Sequence, residues 1–220
     1  MLTAVALNWK RPDNVARVVE SWGRSDLIER GIVWNNNPST TLKSADVDVI
    51  NTNRDCGLYT RFVAASLAKT LFVLIQDDDL ILNNTTIELL YNCAKAEPQK
   101  VHGIFGRRPK KDGSYAESLV GNHDVPIVLT RALVASRDLV IKFLQCAPRF
   151  DDLQKGGIPN GNGEDIIFSY TAVKHSGELN RIYKLDVTEL PAPDAIHKRP
   201  NHLKHRTRIM KACQTWVNSK

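Results

Sequence analysis

Apolar and polar positions follow two rhythms along the first half of the chain. Short, nearly unbroken apolar runs, "LTAVALNW" (2–9), "GIVWNNNPS" (31–39), "VDVINTN" (47–53) and "TLFVLIQ" (70–76), have the length and β-former content of buried strands. Between them the apolar residues recur at helical spacing. "DNVARVVESW" follows Pro12 at a first helical position, "LYTRFVAASLA" (58–68) is a second helix, and Asn83 stands as N-cap to "NTTIELLYNCAKA" (84–96). Strand and helix in alternation predict an α/β fold whose central sheet is mixed but mostly parallel, with helices on both faces.

The second half is less regular. "VHGIFGRR" (101–108) and "VPIVLT" (125–130) read as strands, "PKKDGS" (109–114) as an exposed turn, and "RALVASRDLVIKFLQCA" (131–147) as one amphipathic helix. Residues 147–163 are dense in Gly, Pro, Asn and Asp, and so long a loop inside a compact domain is more often a lid or a site than a spacer. It runs into "EDIIFSYTAVKHSG", a helix with Glu164 and Asp165 in its first turn and Gly177 at its C-cap. The basic segment 197–216, "HKRPNHLKHRTRIMKACQTW", predicts a C-terminal helix. The chain has no internal repeat, and 220 residues suit a single domain, 1–220.

Charge and cysteine content narrow the classes. Lys and Arg number 30 against 24 Asp and Glu, and the net charge of +6 favours a phosphorylated or polyanionic partner. Nucleic acid fits poorly, because the basic segment lacks the interleaved aromatics or recognition helix that would read bases. Cys56, Cys93, Cys146 and Cys213 form no C-x-x-C pair, which argues against a zinc site or a disulfide framework and fits a cytoplasmic protein. No apolar run approaches the ~20 residues of a membrane span, and the amino terminus turns polar too soon for a secretory signal.

The chemistry concentrates at "QDDD". Asp77, Asp78 and Asp79 follow an apolar strand, at the sheet edge where open α/β folds place their ligands. One such Asp could be a turn residue or a cap. Three together repel unless something positive sits among them, and a divalent cation is the simplest remedy.

Together these segments resemble a GT-A-fold glycosyltransferase, specifically the exostosin-type, heparan-synthesis-like catalytic domain. The resemblance rests on Trp9 with Arg11 after the first strand, "VWNNNP", "NTNR" at 51–54, "QDDD", and "NGEDI" at 162–166, in that order. It implies a UDP-sugar donor, an oligosaccharide or glycoprotein acceptor, and Mn²⁺ or Mg²⁺ as cofactor. Residues 1–110 would form the nucleotide-sugar half and 111–220 the acceptor half. Trp9, Arg11, Asn36, Asn53 and Arg61 would lie on the nucleotide side. Asp79 would be the direct metal ligand, Asp77 a partner of ribose or of metal-bound water, and Asp78 a ribose or outer contact. A C-terminal histidine, His197 or His202, would complete the metal's ligands.

Further along, the resemblance places Asp165 beside the reacting centre, has Asn162 and Glu164 orient donor or acceptor, and puts Arg206 near the donor phosphates. It implies transfer with retention, the leaving diphosphate taking the acceptor proton. Small soluble members occur in chloroviruses, where they build capsid glycans, and this chain is similar to such a module, one that would move rhamnose or another hexose. The rival within the fold, a GT-A nucleotidyltransferase, normally carries a Gly-rich loop after its first strand, and "NWKRPDN" has no glycine.

Overall fold

The computed structural model describes residues 1–155, 162–193 and 201–219. Its centre is an eight-stranded sheet in the order β3 (Asp48–Asn51), β2 (Ile28–Asn35), β1 (Leu2–Asn8), β4 (Phe72–Gln76), β11 (Ala132–Ser136), β6 (His102–Gly103), β12 (Asn180–Ile182), β9 (His123–Val125). The parallel block consists of β1 (Leu2–Asn8), β2 (Ile28–Asn35), β3 (Asp48–Asn51) and β4 (Phe72–Gln76). Helix α1 (Pro12–Trp22) links β1 to β2, and α2 (Thr60–Ser66) links β3 to β4. After β4 come the short β5 (Leu80–Leu82) and α3 (Asn84–Ala96), whose Asn83 side chain accepts from the Thr86 N–H.

Alternation of side chains along the central strands divides the core into two layers. Val5, Ile75 and Leu133 face α2 and the later helices, whereas Ala4, Leu74 and Val134 face α1 and α3, and all six are fully buried. No residue of β11 (Ala132–Ser136) is exposed, as a central strand covered on both faces requires.

That strand is the main departure from the pattern-based expectation. Residues 131–147 do not form one helix. Ala132–Ser136 inserts antiparallel between β4 and β6 (His102–Gly103), and only Arg137–Cys146 is helical, as α4. Ser136 ends the strand and caps the helix, its hydroxyl accepting from the Leu139 N–H at 3.3 Å. "ALVAS" is apolar at every period, so periodicity cannot separate a buried strand from a buried helical turn. Two expected strands are also broken. Residues 101–108 divide into β6 and β7 (Gly106–Arg108), and Pro126, which cannot donate to a ladder, separates β9 (His123–Val125) from β10 (Ile127–Val128). Gly103 is required where these pieces cross, since a Cβ there would lie 2.4 Å from the Val128 side chain.

Strands β7, β10 and β8 (Glu117–Leu119) form a small sheet of their own. A 3-10 turn (Ala147–Phe150) and α5 (Asp151–Lys155) follow α4. Then α6 (Glu164–Ser176) runs between two left-handed glycines, Gly163 at φ +117° and Gly177 at φ +74°. β12 (Asn180–Ile182) returns to the main sheet, and β13 (Val187–Glu189) pairs with β5. The chain closes with α7 (His202–Asn218), packed on α6 through Ile209, Met210 and Cys213. Among the described residues no helix is long and apolar enough to cross a membrane.

Candidate active site

A cleft of about 980 Å³ opens at the carboxyl ends of β1 and β4 and is walled on its far side by the start of α6 and α7. It holds Trp9, Arg11, Asn36, Arg61, the three aspartates, Asn162, Glu164, Asp165 and Arg206, all anticipated from sequence. Asn53 is not among the lining residues and is solvent-exposed. His197 lies outside the described residues. His202 does line the cleft, and its Nδ1 accepts from the Asn162 amide at 3.0 Å.

The aspartate turn is pinned by backbone bonds. The Asp77 N–H donates to the Arg131 carbonyl at 2.9 Å, and the Leu190 N–H donates to the Asp79 carbonyl at 2.7 Å. Just behind the turn, buried Gln76 is fixed by Trp22 Nε1 at 3.1 Å and by its own bond to the Leu80 carbonyl at 2.6 Å. Each carboxylate then meets an arginine. Arg61 reaches Asp77 at 2.7 Å, Arg11 reaches Asp78 at 2.7 Å and Asp79 at 3.6 Å, and Arg131 stands 3.7 Å from Asp79.

Three guanidinium groups do not fully compensate these charges. Burial first, and then the neighbouring Asp77 and Asp79, push Asp78 up to about 7 against the pull of Arg11. Asp79 is raised as well, by burial and then by Asp77. Its Oδ1 is buried and accepts no hydrogen bond among the described residues. That atom is a hard oxygen donor whose only cationic neighbour among the described residues, Arg131 at 3.7 Å, stands beyond hydrogen-bond reach, and its chemistry suits Mn²⁺ or Mg²⁺. No cluster of three metal-ligating side chains is assembled among the described residues, so most of such an ion's coordination would have to come from the ligand and water.

The opposite wall is closed. Arg206, deeply buried in the second turn of α7, donates to Asn162 Oδ1, Tyr115 Oη and Asp165 Oδ2, each at 2.6 Å. Its guanidinium also lies 4.5 Å from the Tyr115 ring centroid. Burial opposes its charge, but Asp165 and then Tyr115 outweigh that, and its pKa stands above the ordinary arginine value. Glu164 receives the Gly163 N–H at 3.1 Å and the Thr130 hydroxyl at 3.4 Å. Burial, and after it the adjacent Asp165, raise Glu164 to about 7.

Asn36 lines the cleft and is also a structural crosslink. It is buried, donates to the Gly57 carbonyl at 3.0 Å and the Thr60 hydroxyl at 3.1 Å, and accepts from the Cys56 N–H at 3.2 Å. It therefore ties the β2 turn to the start of α2, with its amide already engaged. Asn35 does similar work, linking Asn8 at 2.7 Å to Asn51 at 2.8 Å.

Sequence reasoning missed Tyr115, Thr130 and Arg131. The expected helix over 131–147 hid Arg131, which leads into β11 beside the aspartates, and Thr130 was read only as the end of a strand. Nothing in "KKDGSYAES" marks Tyr115.

Sheet order, cleft position and the acid turn at the end of β4 together define a GT-A glycosyltransferase fold. Among many matching solved structures, a crystal structure of GalNAc-T7 with UDP, GalNAc and Mn²⁺ superposes with a TM-score of 0.67 at 13% identity. The match covers 98% of this chain and 49% of that one, so the chain spans about half the length of the enzyme it matches. No curated protein matches the chain by sequence. The model of the glycosyl transferase family 64 domain matches residues 2–219, and the protein belongs to that family.

Proposed function

We propose that the protein transfers a sugar from a UDP-sugar to a hydroxyl of a glycan acceptor, with a divalent cation and with retention of anomeric configuration. One observation carries the reading: a strand-end acid turn holding a buried carboxylate oxygen that accepts no hydrogen bond among the described residues faces, across a single cleft, a buried Asp165–Arg206 pair. The GT-A neighbour with UDP, GalNAc and Mn²⁺ supports the same ligand classes.

In this reading Asp79 and Asp77 hold the cation, and Trp9 and Arg11 receive the nucleotide. The first half of the chain thus presents the donor and the second half the acceptor, within one GT-A domain. The bound cation supplies neutralisation of the diphosphate charge as the anomeric bond breaks. Arg61 is held by Asp77 and by the Thr130 carbonyl at 3.4 Å, which fixes a positive charge between the two acid groups. Arg206 orients Asp165 through their 2.6 Å contact, and Asp165 steadies positive charge developing on the sugar ring. Glu164, protonated below about pH 7, is a hydrogen-bond donor to a sugar hydroxyl at neutrality and below. Asp165 is engaged by Arg206, and in this reading the leaving diphosphate accepts the acceptor's proton, which accords with retention.

Calorimetry of UDP with and without Mn²⁺, on the native protein and on Asp79→Ala, tests the reading. A cation-dependent rise in affinity that Asp79→Ala removes is the expected result. UDP affinity indifferent to the cation, or preferential binding of a DNA oligonucleotide, would overturn it.

A further inference from the structure

The basic segment at the C-terminus supplies Arg206 to the cleft, yet most of its charge points elsewhere. On α7, Lys204, Arg208 and Lys211 follow at i, i+4 and i+7 and are all exposed, while Ile209, Met210 and Cys213 on the other side are buried. The turn between β7 and β8 lies against this face. The Tyr115 N–H donates to the Thr207 hydroxyl at 3.0 Å, and a side chain at Gly113 would sit 3.9 Å from the Lys211 side chain. That contact brings exposed Lys110 and Lys111 alongside.

Five cations thus share one surface strip. The acid within it, Asp112, is folded back on Ser114, receiving its N–H at 2.8 Å and its hydroxyl at 2.6 Å. Glu117 is paired with Arg108 at 2.8 Å. Asp151 and Asp152 belong to the far end of α7, where Phe150 meets Trp216 with ring centroids 5.6 Å apart. At the near end Leu203 is 57% exposed and forms part of the cleft lip.

We infer that the α7 face with the 110–111 turn is a docking surface for an anionic lipid bilayer, holding the cleft lip against it. Charge complementarity is the argument. Lys and Arg along the polar face of a helix attract anionic headgroups, and a neighbouring exposed leucine can enter the headgroup boundary. A soluble polyanion would engage the cations but has no use for the leucine. An acceptor or donor carried on a lipid would then reach the cleft by lateral movement. The inference stands independently of the sugar-transfer reading.

The test is co-sedimentation with vesicles of phosphatidylcholine alone and of phosphatidylcholine with phosphatidylserine, at low salt and at about 0.15 M. Binding that requires phosphatidylserine and weakens with salt is expected. The triple variant Lys204→Ala, Arg208→Ala, Lys211→Ala should bind about a hundredfold more weakly, at roughly fivefold per cation, with its melting temperature unchanged. Arg17→Ala, Lys43→Ala, Lys69→Ala removes the same charge from other exposed positions and should bind several-fold better than the α7 variant. Equal losses in the two variants, no binding to phosphatidylserine vesicles at low salt, or binding to dextran sulfate without binding to vesicles would each overturn the proposal.

Discussion

The two walls of the cleft handle carboxylates in opposite ways. At the end of β4, three acids share three arginines and remain undercompensated, with Asp78 at about 7 and Asp79 Oδ1 without a hydrogen bond. At the start of α6 and α7, Arg206 binds Asp165, Asn162 and Tyr115 in one buried knot. The first wall is built to receive a charge and the second to hold one in place. The difference lies in access and in partners: the Asp165 and Arg206 side chains are 6% and 7% exposed and face each other at 2.6 Å, whereas those of Asp77 and Asp79 are 26% and 16% exposed and open to the cleft, and Asp78, at 8%, is buried with two like charges beside it.

The contrast is broken most severely by Arg206→Leu. Removing one partner of a buried ion pair leaves Asp165 uncompensated, and denaturant unfolding should show a loss of about 3–5 kcal/mol. If the loss is below about 1 kcal/mol, the knot is not holding its wall. Asp165→Asn keeps the shape but not the charge. Turnover should fall by roughly two orders of magnitude while UDP affinity by calorimetry is preserved. A melting point lowered without a change in turnover would make Asp165 a structural partner of Arg206 alone.

Acidity sharpens the comparison further. Glu164 has an ordinary carboxyl value of 4.5 and stands near 7 in the folded protein, so the native state binds the extra proton between those pH values. Stability from this group is therefore greatest below about pH 4.5, declines as pH rises to about 7, and is level beyond. Glu164→Gln should flatten that decline, giving the variant an advantage of about 2–3 kcal/mol at pH 8 relative to pH 5. Parallel curves for the two proteins would count against the burial argument. The smallest effect belongs to the open wall. Trp9 is 38% exposed, so Trp9→Ala should change stability by less than about 0.5 kcal/mol while weakening UDP binding. A large stability loss would place Trp9 in the core.

The same contrast governs what the sequence revealed. The open wall was legible because "QDDD" is a local signal: an apolar strand running into three charges needs no partner to be noticed. Parts of the closed wall were legible too, since "NGEDI" opens a helix with two acids. Tyr115 and the entry of β11 were not, because their roles come from residues 91 positions away in one case and from a central sheet position in the other. Asn36 and Asn53 make a related point. Both sit in polar turns, yet one is buried as a crosslink and the other faces solvent, a distinction fixed by the packing of α2 and not by composition.

The placement of β11 between β4 and β6 also bears on how the chain acquires its shape. β4 pairs on one side with β1, about seventy residues earlier, and on the other with a strand some sixty residues later. Contact order around the aspartates is therefore high, and folding there must await distant segments. During synthesis, the first four strands can assemble while the edge of β4 still offers unpaired backbone groups to any neighbouring chain. The Asp77 amide gains its partner at Arg131 only when β11 arrives, so the acid turn is among the last features of the nascent protein to set.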